Sequence, residues 1–104
     1  MQVLVFKPSN EMTFDTVLKD RQGLIEYYAG QSSQSLVLDL AEVKSCDSAG
    51  LALLIEAKRL AQSENKRCEL LNAPPCIRKL AEFCGLDGIL HYVESHQALD
   101  MING

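Results

Sequence analysis

Leu36-Val37-Leu38-Asp39-Leu40 is followed by residues 41–46 and then by Asp47-Ser48-Ala49-Gly50-Leu51. The first five positions are almost all apolar and are bounded by polar residues, which suits a short strand covered on both faces. Residues 41–46 read as a short polar connection. Asp47 and Ser48 each have a short side-chain oxygen that can accept from the free N–H groups of a helix's first turn. Residues 49–61 hold no proline and one glycine, near the start, and strong helix formers dominate them. The reading is strand, connection, then a helix with an Asp-Ser pair at its positive end. Such an end favours an anion, and therefore a regulatory phosphate.

Upstream, residues 2–6 (with Val3, Leu4, Val5 and Phe6) read as an opening strand, ended by Pro8-Ser9-Asn10. Thr13 is placed as a helix N-cap, with Asp15 in the first turn where the helix dipole favours an acid. Val17, Leu18, Leu24, Ile25 and Tyr28 recur at helical spacing up to Ala29. Gly23 weakens that helix by about 1 kcal/mol relative to alanine. Residues 30–34 are a polar loop. Downstream, residues 62–66 are turn-like and residues 68–71 read as a strand. A third helix starts near Pro75, since proline is tolerated in a first turn, with Ile77, Leu80, Ala81 and Cys84 facing inward. Gly85 is suited to end it in a left-handed turn, with Leu86 folding back over the last turn. Residues 89–93 read as a short last strand, and Ser95 as the cap of a final helix reaching Ile102. There is no internal repeat, linker or low-complexity segment. Strands alternating with helices make an α/β domain, a small mostly parallel sheet with helices packed against it, spanning residues 1–104 as one unit.

The pattern Val37-Leu38-Asp39-Leu40, Val43, Cys46-Asp47-Ser48-Ala49-Gly50-Leu51 resembles the signature of STAS domains, the fold of anti-sigma-factor antagonists and of sulfate-transporter tails. Asp47, Ser48 and Gly50 stand where that family has its Asp-Ser/Thr-x-Gly motif. Ser48 stands at the position phosphorylated in the antagonists. Gly50-Leu51-Ala52-Leu53-Leu54 and Ala57-Lys58-Arg59-Leu60-Ala61 are closer to one branch, the MlaB-like STAS subunit of the bacterial Mla phospholipid-transport complex. The resemblance covers residues 12–93 and implies the same architecture. For that branch it implies a cytoplasmic, non-enzymatic accessory subunit that binds the ATPase of an ABC transporter and supports outer-membrane lipid asymmetry. The alternative it implies is an anti-sigma-factor antagonist, with Ser48 the phosphorylation switch and a serine-kinase anti-sigma factor the partner. In one respect the chain departs from the pattern. STAS domains usually open with two strands, only one fits before Thr13, and Asn10 replaces the glycine ahead of the first helix. A reduced sheet edge is the expectation.

Nearly half of the 104 residues are hydrophobic and 23% are charged, the profile of one ordinary globular domain. A net charge of −4 without a basic stripe argues against nucleic acid as the main partner. No apolar run approaches the roughly 20 residues that span a bilayer, so direct membrane insertion is not expected. Residues 1–6 are too short for a signal peptide, and Lys7 follows the apolar run instead of preceding it. A cytoplasmic location follows, at most peripheral to the inner membrane through a partner. Cys46, Cys68, Cys76 and Cys84 form no C-x-x-C pair and no zinc spacing with a histidine. Reduced thiols, no metal and no cofactor are the expectation.

No catalytic set assembles. Ser48 has no histidine near it in sequence, and His91 and His96 fall in a tail read as exposed. Asp39 and Asp47 are paired only in the loosest sense. There is no Walker loop and no G-x-G-x-x-G. For Ser48 three readings stay open: helix capping alone, a binding contact, or phosphorylation. At 100° per residue, Leu53, Leu54, Ala57, Leu60 and Ala61 share the face turned to the sheet. Leu51, Ala52 and Ile55 fall on the other side with Glu56, Lys58, Arg59 and Gln62. Either Leu51 and Ile55 pack on a neighbouring helix, or they are the dry centre of a docking surface rimmed by charge. The candidate partner-binding set is Asp47, Ser48, Leu51, Ile55, Lys58 and Arg59.

Overall fold

The structure, a computed structural model of the chain, describes residues 3–28 and 35–94. The elements in chain order are β1 (Val3–Phe6), β2 (Glu11–Met12), α1 (Val17–Tyr28), β3 (Ser35–Asp39), β4 (Ser45–Cys46), α2 (Ser48–Ser63), β5 (Arg67–Leu71), α3 (Pro75–Phe83) and β6 (Tyr92–Val93). The main sheet has the order β1-β3-β5-β6, and every pairing in it is parallel. Leu36 lies between Leu4 and Cys68, and Leu38 between Phe6 and Leu70. From β1 to β5 each crossover steps one strand further in the same direction. Crossovers of one hand then leave their helices on one face.

Side-chain alternation along the strands agrees with this. Leu4, Leu36, Leu38 and Leu70 join Leu24, Leu53, Leu54, Ala57 and Ile77 in the main core. Val37 and Leu71, one residue out of step, form a second cluster with Val93. The central strand is thus buried on both faces, as its nearly unbroken apolar run implies.

The glycine ending of the third helix closes as expected, and the turn-like stretch after α2 adopts a similar ending. Gly85, at φ +73°, ends α3, with Gly85 N–H on Glu82 O at 3.0 Å and Leu86 N–H on Ala81 O at 2.7 Å. α2 ends the same way on Asn65, φ +59°, with Lys66 N–H on Ala61 O at 2.9 Å. These bonds satisfy carbonyls that the helix itself leaves unpaired.

Several expectations are corrected. A second strand does precede Thr13: Glu11–Met12 pairs with Ser45–Cys46 in a separate two-stranded ribbon. Two residues are too short to show a period of two, and the read polar connection hides both β4 and the buried Val43. Thr13 opens a turn, its carbonyl accepting from Thr16 and Val17, and the regular helix begins at Val17. Leu18 points outward at 78% exposure, and Cys84 is exposed beyond the last turn of α3. Ser95, the final helix, His96 and the 30–34 loop lie outside the described residues. No helix among the described residues is long and apolar enough to cross a membrane.

Candidate functional site

The site is the junction of β2, the turn before α1 and the first turn of α2. Asp47 is the N-cap of α2, in an extended conformation. Its Oδ1 accepts from Ala49 N–H at 2.9 Å and Gly50 N–H at 3.2 Å, and its Oδ2 accepts from Phe14 N–H at 2.9 Å. Its own N–H donates to Met12 O at 3.1 Å, and its carbonyl accepts from Leu51 N–H at 3.0 Å. One carboxylate therefore ties the start of α2 to the segment leading into α1. These bonds, that from Phe14 foremost, hold the Asp47 carboxyl below the usual carboxylate range.

This geometry separates the roles of the Asp-Ser pair. Asp47 caps the helix and Ser48 does not. It also shows what an anion at this helix start would meet. Three first-turn N–H groups already serve Asp47, whose negative charge sits beside Ser48. Gly50 is needed because the first turn of α2 presses on the Met12 backbone, where a Cβ would fall 2.0 Å from the carbonyl oxygen.

Ser48 is exposed and opens onto a groove of about 750 Å³ between α2 and the end of α3. Leu51, Ile55 and Arg59 line its α2 side, with Cys84 and Leu86 opposite. Leu51 is a correction, being 3% exposed and a member of the core; it forms the floor of the groove and not its outer face. The 100° wheel places it outward because the wheel knows nothing of the α3 end folding over it. Ile55 is half-buried against the core. Arg59 is exposed and makes no ion pair among the described residues.

Arg59 and Glu56 also border a second groove of about 370 Å³ between α1 and α2, where Arg21 pairs with Glu56 at 2.7 Å. Lys58, expected beside Arg59, turns the other way and donates to the Ile89 carbonyl. The groove thus brings together Ser48, Leu51, Ile55 and Arg59, with Asp47 behind them and Lys58 apart.

Two aromatic neighbours escaped the sequence reading. Phe14, 78% exposed, is tied by its N–H to Asp47, and Phe83, 89% exposed, precedes Cys84 in the groove wall. Phe14, in the turn before α1, and Leu18, in its first turn, are four residues apart and equally exposed. Two large apolar side chains left outward at that spacing are the signal that could have found them. Asp39 belongs to the scaffold: its carboxylate accepts from Ala41 N–H at 3.1 Å and pairs with Lys7 at 3.8 Å. Among the described residues no cluster of three or more His, Cys, Asp or Glu could hold a metal.

A parallel sheet with an Asp-capped α2, an exposed serine and a buried glycine on the β2 backbone defines a STAS domain. Residues 9–92 match the model of the family described as "Mlab, STAS domain", and the chain belongs to that family. No curated protein matches the sequence significantly. Among solved structures, the unphosphorylated anti-sigma factor antagonist SpoIIAA is 21% identical at a TM-score of 0.79, covering 99% of this chain and 90% of its own. A Thermotoga maritima protein proposed as an anti-sigma factor antagonist is 15% identical at a TM-score of 0.82, over 98% of this chain and 88% of its own. A chain of the stressosome, described as a signal integration and transduction hub, is 22% identical at 0.68, over 97% and 88%. At these identities the likeness establishes the shared fold.

Proposed function

We propose that this STAS domain is the non-enzymatic, cytoplasmic subunit of an Mla-type phospholipid-transporting ABC complex. It docks on the ATPase subunit through Ser48 and the α2–α3 groove and supports assembly or activity of the transporter. The family match favours this branch. The observation that carries the reading is the groove itself: an exposed serine hydroxyl, an apolar floor at Leu51 and Leu86, and Arg59 at the border. Exposed Phe83 precedes Cys84 of the groove wall, and exposed Phe14 is tied by its N–H to Asp47. A dry apolar centre with a polar rim suits a protein partner.

The anti-sigma-factor antagonist, switched by phosphorylation of Ser48, is the second reading, and exposure of Ser48 favours it. Against it, a phosphate there would meet the ionised Asp47 and find the adjacent first-turn N–H groups engaged. Affinity capture from the native cell separates the two. Recovery of an ABC ATPase with its permease supports the first, whereas recovery of a serine-kinase anti-sigma factor, with phosphate on Ser48, replaces it with the second.

A further inference from the structure

The far end of α2 borders a separate pocket. β6 is only two residues long and pairs with Leu70 and Leu71, so among the described residues the first half of β5 pairs with no strand on that side. A pocket of about 160 Å³ opens there. Lys58 and Gln62 reach it from α2, Lys66 from the following turn, Arg67 from β5 and His91 from the segment before β6. Three of the chain's ten Lys and Arg residues thus converge on one small pocket of a molecule whose net charge is −4. The backbone adds a donor. Leu70 N–H bonds His91 O on this side at 2.7 Å, and strand alternation directs the Cys68 N–H, two residues earlier, the same way. Ligand pockets for drug-sized molecules run from about 300 Å³ upward, so the occupant here is small.

From this convergence we infer that the pocket between the C-terminal half of α2 and the open edge of β5 binds a single tetrahedral oxyanion, a phosphate group or its isostere sulfate. Lys58, Lys66 and Arg67 supply positive charge from three segments, and Gln62 and His91 add polar side chains. The inner wall carries a carboxylate. Glu69 is 8% exposed, and burial pushes its carboxyl above the usual range, against the pull of His91, Arg67 and Lys58. Protonation of Glu69 removes a repulsive charge from the pocket wall. Binding therefore tightens as the pH falls. The cations also offset the buried Glu69 when nothing is bound, and Lys66 further lies 5.1 Å from the Tyr28 ring centroid.

The test is titration of the isotope-labelled full chain with sodium sulfate, followed by amide NMR. Sulfate keeps its charge across the working pH range, so any pH dependence belongs to the protein. The expected result is saturable shifts centred on Arg67, Cys68 and His91, with tighter binding at the acid end of the range over which the domain stays folded. Arg67→Glu and, on the exposed face of α2, Gln62→Glu each weaken binding at least about tenfold. Lys79→Glu, an exposed cation of α3 outside the pocket, leaves it unchanged. Folding of each variant is read from the same spectra, and Gln62→Glu keeps a good helix former in place. Shifts that rise linearly, or that Lys79→Glu reduces as much as Gln62→Glu does, mean an adventitious ion only and overturn the site. Sedimentation with phosphatidylcholine vesicles containing phosphatidic acid identifies the source. Vesicle binding lost in Gln62→Glu points to a lipid headgroup; saturable sulfate binding without vesicle binding points to a soluble phosphate. Both support the pocket.

Discussion

Gly50 lies so close to the Met12 backbone that a Cβ at residue 50 falls 2.0 Å from the Met12 carbonyl oxygen and 2.8 Å from its carbonyl carbon. Two effects of Gly50→Ala therefore compete. In an open helix alanine is better than glycine by about 1 kcal/mol. Overpacking against a fixed backbone costs about 1–3 kcal/mol, sometimes more. The obstacle is a backbone carbonyl, not the end of a flexible side chain, so the cost wins. Gly50→Ala lowers the urea midpoint; a midpoint at or above wild type would contradict the close approach.

Asp47 makes stability depend on acid in a defined direction. Its folded-state carboxyl titrates below the unfolded value of about 3.9 because Phe14, then Gly50 and Ala49, donate to the charged form. The stabilisation is complete above the unfolded value and is lost as the pH falls through the lower folded one. Asp47→Asn keeps the shape but removes the titration. Unfolding measured over an acid pH series shows a shallower decline for the variant; equal slopes would contradict the capping role.

The four thiols divide by burial. Burial, with Cys76 and Asp47 nearby, pushes the Cys46 thiol up to about 11. Burial and then Glu69 push Cys68 up to about 12. Cys84 is exposed. A thiol reagent near pH 8 labels Cys84 first in the native protein, while Cys46 and Cys68 wait for unfolding. Four reactive thiols are counted in denaturant without reductant. Fewer would contradict the reduced state.

What the sequence made legible follows from length and chemistry. β3, α2 and the Gly85 ending were readable because a five-residue apolar run, a sixteen-residue helix and a glycine stop each carry a strong local signal. β2 and β4 were not, since two residues apiece hold no period and their pairing joins residues 34 apart in sequence. The Asp-Ser-x-Gly motif located the site, but not the division of labour within it. That depends on Phe14 and Met12 arriving from elsewhere in the chain. The helix wheel was right for Leu53, Leu54, Ala57 and Ala61, all buried by the core. It failed at Leu51, which the α3 end covers, and at Lys58, drawn off by the Ile89 carbonyl.

Leu51 and Ile55, one turn apart, now differ in kind. Leu51→Ala removes side-chain volume from a 3% exposed site in the core and costs about 2–4 kcal/mol. Arg59→Ala, at an exposed position without an ion pair among the described residues, changes stability by less than about 0.5 kcal/mol. Ile55→Asp, half-buried, falls between them. Chemical denaturation of the three variants gives the order Leu51, Ile55, Arg59; any loss at Arg59 as large as at Leu51 would contradict the assignment of groove floor and rim.

Calorimetric titration of the purified domain against the ATPase subunit of an Mla-type transporter tests the docking surface most directly. Ser48→Ala is the key variant. Asp47 and not Ser48 caps α2, so removing the hydroxyl leaves folding within about 0.5 kcal/mol of wild type, as for other surface changes. The wild-type domain binds and Ser48→Ala binds at least about fivefold more weakly, the loss of one interfacial hydrogen bond. A folded Ser48→Ala domain that binds the ATPase as tightly as wild type would contradict the placement of the interface at the start of α2.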